Sequence, residues 1–329
     1  AYRPLRKKGS RPSVAKINLN FLDRPMFIPA RKIKDPVSGC PLPLEECRTY
    51  NDGNGFEIQA LVNTELKKDG FPAFFGLPGY FDKKVLYALA ARLPIFDSTY
   101  LSDALPILQE DTQGLIRRVD VISIRELARE IGIEKPDGRV HKRIKESLLR
   151  WSNLILSFHK NSLTTSKGED GDTIRQVIET TRIPVLDRVE FIENERGNLT
   201  KASVTFNKDF LLCNNDTFTR RLCLKTFYSF NRPTSARLYE VLCKNFWGGS
   251  CRSRCPKTGA MLWRINAENL MGKLGGTETK SNRNIQRDIR AAVDEINELV
   301  PDMLYGVDFG IGAEGQSVAT FSRLKVKSA

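Results

Sequence analysis

The sequence predicts an α+β fold in which one unit, three helices followed by a β-hairpin, occurs twice in tandem. Apolar residues recur at helical spacing in matching positions of two segments that lie 143 to 145 residues apart. Each segment is followed by two strand-like runs around a turn rich in Gly and Asn. Three helices with a terminal hairpin form the winged-helix arrangement, a helix-turn-helix variant in which the hairpin is the wing. The chain is therefore predicted to contain two tandem winged-helix domains after a basic N-terminal arm.

The first unit is predicted from three successive helical patterns. An amphipathic helix starts at Asp82 and ends before Pro94, and a short helix follows over 122–132 with Ser123 as its N-cap. Glu126 lies three residues after Ser123, which is the spacing of a capping box. After a polar turn comes a longer helix with an apolar stripe. The predicted buried positions of the first and third helices are Val85, Leu86, Leu89 and Leu93, then Val140, Ile144, Leu148, Trp151 and Leu154.

The second unit repeats this pattern at a constant offset. Residues 265–275 match residues 122–132 at the leading Ile, the cap residue, the Leu and the final Gly, 143 positions later. The Leu-Tyr pair at 86–87 is answered by the same pair at 238–239 in the preceding helix. The apolar positions of the following helix lie 145 positions after their counterparts and are Ile285, Ile289, Val293, Ile296 and Leu299.

Each unit ends in two strand-like runs that predict a wing. In the first unit they are Val185–Ile192 and Ala202–Phe206, and in the second Met303–Phe309 and Val318–Leu324. Alternating apolar residues on both sides of a turn are typical of a β-hairpin.

The predicted chain has three parts: a basic N-terminal arm and irregular lead-in over 1–75, a first winged-helix domain over 76–212 and a second over 213–329. Residues 1–35 contain ten Lys and Arg residues against two Asp. A basic arm that follows DNA phosphates is one interpretation, and a solubilising tail is the alternative.

Composition favours a polyanionic partner. Lys and Arg total 52 against 39 Asp and Glu, which gives a formal net charge of +13, and a basic excess of this kind is typical of nucleic-acid-binding proteins. No apolar run approaches the roughly 20 residues that cross a bilayer, so no membrane partner is expected. Seven cysteines and no signal peptide indicate reduced thiols in a cytoplasmic protein.

The third helix of each unit is the predicted recognition helix, whose N-terminal residues reach base edges in the major groove. Arg pairs with guanine, Asn with adenine, and Glu accepts from cytosine, whereas Lys and Ser suit phosphates. The alternative is a solvated amphipathic face without a ligand. The candidate DNA-binding residues are Arg139, Lys142, Arg143, Glu146 and Arg150 in the first unit, and Lys280, Ser281, Asn282, Arg283, Asn284, Arg287 and Arg290 in the second.

Catalytic and metal-binding functions find little support. The two histidines, His141 and His159, do not form the paired metal motif that a rolling-circle nickase needs, and no phosphate-binding Walker loop is present. Cys243, Cys251 and Cys255 lack paired zinc-ligand spacing. We therefore expect no enzyme activity, no cofactor and no bound metal.

Several segments together resemble one family, the plasmid replication initiator proteins of the replication initiator A type. Residues 19–27 (LNFLDRPMF) are similar to the opening segment of that family, and residues 227–246 (FYSFNRPTSARLYEVLCKNF) to its turn and Ala-Arg-Leu-Tyr helix. The resemblance covers roughly residues 19–305 and also includes FGLP at 75–78, the helix Val85–Leu93, the segment 122–132 and GRVHKRIKESL at 138–148. The loops at 97–115 and 247–260 depart from the family pattern.

This resemblance implies a protein that binds double-stranded DNA at repeated origin sites, melts nearby DNA and recruits host partners, namely the replicative helicase and host initiator proteins. It also implies exchange between a homodimer and origin-binding monomers, and repression of its own promoter. Three other readings remain open from the residues alone: a winged-helix transcriptional repressor, a metal-dependent DNA nickase, and a non-specific architectural or RNA-binding protein.

Overall fold

The computed structural model describes residues 14–18, 47–50, 56–60, 63–68, 71–73, 77–93, 117–167, 173–197, 199–212, 219–246, 253–275, 282–313 and 315–325. The predictions for the first thirteen residues of the arm, for the acidic loop at 97–115, and for Cys251, Lys280 and Ser281 lie outside these residues.

The described residues contain the six predicted helices and the two predicted wing hairpins, together with further helices and strands. The helices are α1 (Tyr80–Ala90), α2 (Ile124–Glu130), α3 (Gly138–Ser152), α4 (Lys208–Leu212), α5 (Leu224–Ser229), α6 (Pro233–Phe246), α7 (Ala267–Leu274) and α8 (Asn282–Leu299). The strands are β1 (Val14–Asn18), β2 (Cys47–Tyr50), β3 (Phe56–Ala60), β4 (Asn63–Lys68), β5 (Phe71–Ala73), β6 (Arg118–Ser123), β7 (Leu154–Lys167), β8 (Thr173–Pro184), β9 (Leu186–Glu193), β10 (Leu199–Phe206), β11 (Thr219–Cys223), β12 (Ser253–Arg254), β13 (Met261–Asn266), β14 (Met303–Ile311) and β15 (Ser317–Lys325).

The first unit consists of α1, α2 and α3 with an antiparallel sheet in the order β6-β10-β9, whose last two strands form the wing. Ser123 caps α2 as predicted, because its Oγ accepts a hydrogen bond from the backbone N–H of Glu126 at 3.4 Å. Gly132 ends this turn with a φ of 95°, a conformation that side chains with a Cβ rarely adopt. Asp137 caps α3 by accepting from the backbone N–H of Val140 at 2.9 Å.

The second unit repeats this arrangement with α6, α7 and α8 and an antiparallel sheet in the order β12-β13-β15-β14. Asn266, the repeat counterpart of Ser123, caps α7 through a 2.8 Å bond from the backbone N–H of Glu268. Gly275, the counterpart of Gly132, ends α7 with a φ of 72°. The α+β fold of two tandem winged-helix units is thus confirmed, including the matching caps and stops.

The predicted apolar stripes form the core. Ile144, Leu148 and Trp151 of α3 are fully buried, as are the counterpart residues of α8 apart from a few per cent of exposure. Nearly all the buried apolar residues of both units belong to one continuous cluster. Burial of this kind is the main favourable contribution to folding. Within the described ranges, no helix is long and apolar enough to span a membrane.

A second sheet in the first unit was not predicted. After α3 the chain forms a long antiparallel hairpin of β7 and β8 before the wing begins, and β3 pairs along β7 to complete the order β2-β3-β7-β8. The lead-in over 1–75 is predicted to be irregular with short β-like pieces such as residues 56–62, and its described residues form the strands β1 to β5, of which β3 matches that piece. The strand β1, assigned to the arm, pairs with β11 between the two units.

Candidate nucleic-acid interface

The N-terminal half of α3 presents cations to solvent. Arg139 and Lys142 are exposed, and the opposite face of the helix, with Ile144 and Leu148, is buried. This half of α3 starts at the Asp137 cap, where the helix dipole also favours an anion. Arg139 and Lys142 therefore lie where a recognition helix contacts DNA.

Arg143 is exposed as a residue, but its guanidinium stacks on an aromatic ring. Its Cζ lies 3.8 Å from the ring centroid of Phe81, which precedes Asp82 on α1. Partial removal from water lowers the pKa of Arg143, and the nearby Asp82 carboxylate opposes this shift. The stacking holds the planar guanidinium in one orientation, which reduces the entropy lost when Arg143 binds a base edge.

Arg150 is bound within the protein. Its Nη1 donates to Oδ1 of Asp82 at 2.9 Å, and its Nη2 lies 3.6 Å from Oε2 of Glu146. The other Asp82 oxygen accepts from the backbone N–H of Gly79 at 2.6 Å, at the start of α1. These contacts attach α3 to the first turn of α1. DNA contact by Arg150 and Glu146 stays a prediction, and the geometry favours a structural role for Arg150.

We expect Arg150→Met to lower the free energy of unfolding by about 1–3 kcal/mol, because the Asp82 carboxylate stays buried with fewer donors. Denaturant unfolding followed by tryptophan fluorescence measures this change. Lys142→Met removes an exposed cation from the same helix and should change stability by less than about 0.5 kcal/mol. The structural role is refuted if Arg150→Met leaves stability unchanged while altering base preference on duplex DNA.

The predicted recognition helix of the second unit, α8, has more exposed candidate residues than α3. Arg283, Asn284, Arg287 and Arg290 all face solvent along α8, which begins at Asn282. The Arg287 side chain is 73% exposed, and its Nη2 lies 3.7 Å from Oδ1 of Asp288. The Cζ of Arg290 lies 5.5 Å from the ring centroid of Phe309 on β14, which places this guanidinium between the helix and the wing.

At one repeat position the charge is reversed between α3 and α8. The counterpart of Arg150, 145 residues later, is Glu295. Its Oε1 accepts from the backbone N–H of Asn231 at 2.6 Å, and its Oε2 accepts from the Ser235 hydroxyl at 2.5 Å. In each unit a carboxylate therefore lies at the N-terminus of the first helix, where the helix dipole stabilises it. Asp82 supplies it in the first unit, and Glu295 supplies it in the second.

The wings contribute fewer accessible cations than the helices. Arg188 is exposed on β9 but pairs with Glu190 at 2.8 Å, and Arg118 reaches the same carboxylate at 2.6 Å. The Ser203 hydroxyl, with help from both arginines, holds the pKa of Glu190 below its ordinary value. Arg323 packs inward, with its Cζ 5.5 Å from the Phe246 ring centroid. Arg196 and Lys201 are exposed at the first wing, which makes them candidates for phosphate contact.

The cysteines and histidines do not form a metal centre among the residues that the structure describes, where no group of three potential ligands occurs. Cys243 is buried in α6, and this burial raises the pKa of its thiol to about 12. It thus packs as a small apolar residue. His141 is half-buried on α3, and its Nε2 has no hydrogen-bond partner in the described structure.

Comparison with known proteins finds similarity to solved structures. One is the selenomethionine derivative of domains 2 and 3 of RctB, with a TM-score of 0.47, 13% identity, and coverage of 88% of this chain and 94% of that one. Another is the Pi initiator protein in complex with iteron DNA, with a TM-score of 0.47, 14% identity, and coverage of 76% and 92% respectively. These likenesses concern the fold. No family model and no curated protein matches the chain.

The sequence analysis did not predict the roles of three residues that lie beside the candidate interface. Phe81 orients Arg143, Asp82 binds Arg150, and Glu295 caps α6. The sequence does contain a signal for Glu295, because the repeat offset aligns it with Arg150 and the two side chains have opposite charges.

Proposed function

We propose that this protein is a sequence-specific double-stranded DNA-binding protein that initiates plasmid replication, with α3 and α8 as its recognition helices. The proposal depends on one observation. The chain contains two three-helix units, and the third helix of each exposes arginines in its N-terminal half. Helices of this kind insert into the major groove.

The exposed side chains match the chemistry of base edges and phosphates. Arginine binds guanine through two hydrogen bonds, and asparagine binds adenine in the same way. The residues proposed to contact DNA are Arg139, Lys142 and Arg143 on α3, and Asn282, Arg283, Asn284, Arg287 and Arg290 on α8, with Lys280 and Ser281 directly before them in the sequence. Glu146 is a weaker candidate because it lies near Arg150.

Two different recognition helices in one chain imply an asymmetric site. Successive major-groove faces lie one helical turn apart, so two helices read about 20 base pairs. Directly repeated copies of such a site would recruit several protein molecules in the same orientation. Origin repeats, a homodimer that dissociates on binding, and recruitment of the host helicase and initiator proteins are parts of this proposal.

The experiment that tests the proposal is selection of binding sites from a randomised duplex pool, with affinities then titrated against salt. Enrichment of one asymmetric site of about two helical turns supports it. Absence of enrichment, or a preference for single strands or RNA, contradicts it. Loss of plasmid maintenance in variants that no longer bind the selected site would separate an initiator from a transcriptional repressor.

We expect Arg287→Ala to cost about 1–3 kcal/mol of binding free energy and to relax the preference at one base pair, as the loss of a bidentate guanine contact does. Competition binding with single-base variants of the selected duplex measures this. Arg254→Ala removes another exposed positive charge, on β12, and should leave the base preference intact. Uniform weakening on all duplexes would make Arg287 a phosphate contact instead.

A further inference from the structure

The two winged-helix units meet at a buried polar cluster, the joint cluster, formed by Lys83 and Tyr87 on α1 and by Arg237 and Glu240 on α6. The side chains of Lys83, Arg237 and Glu240 are 0% exposed. The Glu240 carboxylate accepts from Lys83 Nζ at 3.0 Å, from the Tyr87 hydroxyl at 2.5 Å and from Arg237 Nη1 at 2.9 Å. One carboxylate thus binds three donors from both units.

A second set of directional contacts joins the same helix to the segment between the units. The Tyr80 hydroxyl donates to the carbonyl oxygens of Phe227 and Phe230 at 2.5 and 3.2 Å. Lys84 Nζ donates to the Tyr228 carbonyl oxygen at 2.6 Å. These acceptors lie at the C-terminal end of α5, where a cation is favoured by the helix dipole. Polar contacts therefore attach α1 to the linker as well as to α6.

Both recognition helices are bonded to the two joint helices. In the first unit, α3 is attached to α1 through the Arg150–Asp82 ion pair and through Trp151 Nε1, which donates to the Asp82 carbonyl oxygen at 2.7 Å. In the second unit, Glu295 of α8 caps the N-terminus of α6. Arg237 also donates from Nε to the Lys273 carbonyl oxygen of α7 at 2.7 Å. An unbroken series of polar contacts thus connects α3 to α8 through α1, the joint cluster and α6.

A buried ionic cluster restricts geometry more than apolar packing does. Apolar surfaces tolerate sliding, whereas displaced buried donors and acceptors lose their partners at a cost of about 1–3 kcal/mol each. Buried ion pairs contribute little net stability compared with apolar residues of the same volume, and their best-supported role is to select one arrangement. The joint cluster therefore selects one relative position of the two units.

We infer that the joint cluster determines which half-site spacing in DNA this protein accepts, because it fixes the distance and rotation between α3 and α8. The inference rests on the proposed function. Inserting one base pair between the half-sites rotates one of them by about 35° and moves it by about 3.4 Å. A rigid joint does not follow that change, so one of the two helices loses its contacts.

The test is a set of duplexes that carry the selected half-sites with the native spacing and with one or two base pairs inserted or removed. We expect the unsubstituted protein to lose about tenfold or more in affinity per inserted base pair, comparable to one mismatched base pair. The variant for comparison combines Lys83→Met, Arg237→Met and Glu240→Leu, which keeps volume but removes the hydrogen bonds. It should bind the altered spacings with a loss of about threefold or less relative to the native spacing.

Two single substitutions, each of which removes one hydroxyl, still test the inference if the triple variant does not fold. Tyr87→Phe removes one hydrogen bond across the joint, whereas Tyr239→Phe removes the hydroxyl at the equivalent repeat position, whose partner Cys243 lies in the same helix. Only Tyr87→Phe should weaken the spacing preference. Equal spacing preference in Tyr87→Phe, Tyr239→Phe and the unsubstituted protein overturns the inference.

The outcomes separate this inference from the proposed function. If the unsubstituted protein binds no duplex selectively, the proposed function fails. If it binds selectively and depends on spacing, but the joint variants show the same dependence, only the role of the joint cluster is refuted. General destabilisation lowers affinity for every spacing alike and leaves their ratio unchanged.

Discussion

Glu240→Leu is expected to lower the free energy of unfolding by about 3–5 kcal/mol, since it leaves two buried cations without their counter-charge. Lys83 and Arg237 both bind this carboxylate and are fully buried with it. Burial already lowers the pKa of Lys83 to about 8, and the attraction of Glu240 opposes that shift. Without Glu240 the pKa of Lys83 falls further, so the ammonium loses its proton more readily.

Denaturant unfolding at pH 7 and pH 9 measures this effect. The loss of stability should be smaller at pH 9, because Lys83 is then neutral and one buried charge is gone. The control is the triple replacement with Lys83→Met and Arg237→Met added, which should recover stability to within about 1 kcal/mol of the unsubstituted protein or above it. A loss below about 1 kcal/mol for Glu240→Leu alone would mean that water reaches the cluster.

Alkaline pH is expected to unfold this protein cooperatively, with a steep fall in stability above pH 10. Burial raises the pKa of the phenols of five tyrosines above the ordinary value of 10.0, and they are Tyr80, Tyr87, Tyr228, Tyr239 and Tyr305. The folded state keeps these protons while the unfolded state releases them. The unfolded state then binds fewer protons, so stability falls as pH rises, by about 1.4 kcal/mol per pH unit for each tyrosine.

At lower pH the amines of Lys83 and Lys84 have the opposite effect and make stability rise with pH. The pKa of Lys83 and that of Lys84 are lowered to about 8, chiefly by burial, from an ordinary value of 10.5. Between pH 8 and pH 10.5 the unfolded state therefore binds more protons than the folded state, and this contribution rises with pH. The Cys243 thiol, with its pKa raised to about 12 from 9.0, subtracts from it above pH 9. We expect stability to increase slightly from pH 8 and to decrease above pH 10.

Denaturant midpoints from pH 8 to pH 11, together with tyrosinate absorbance in the native state, check this expectation. Five of the eight tyrosines should keep their protons until the protein unfolds. The expectation is wrong if all eight ionise near their ordinary pKa in a protein that is still folded.

The architecture follows largely from local sequence patterns. The cap residues Ser123 and Asn266, the stop residues Gly132 and Gly275, and the stripe of apolar residues along α3 were all predictable. These features depend on residues within one or two turns of each other, which spacing alone reveals. The hairpin of β7 and β8 was not predicted, although residues 173–184 are rich in Ile, Val and Thr, a composition that favours strands, and follow Gly-Glu-Asp-Gly in the sequence.

The roles of individual charges did not follow from these patterns. Arg139, Arg143 and Arg150 look alike on a helix projection of α3. In the structure Arg139 faces solvent, Arg143 stacks on Phe81, and Arg150 binds Asp82. Each difference arises from a partner about sixty or more residues away, so the local pattern contains no information about it.

Helical periodicity, capping and charge are local properties, and they were enough to predict the two-unit architecture, the positions of α3 and α8 and the basic character of their exposed faces. The accessibility of each cation to a ligand and the contacts that join the two units depend instead on the tertiary fold. Lys83 and Glu240 lie 157 positions apart and become partners only after both units fold. Since burial changes the free energy of a charge by several kcal/mol, the fold assigns one arginine or lysine to solvent and another to the interior.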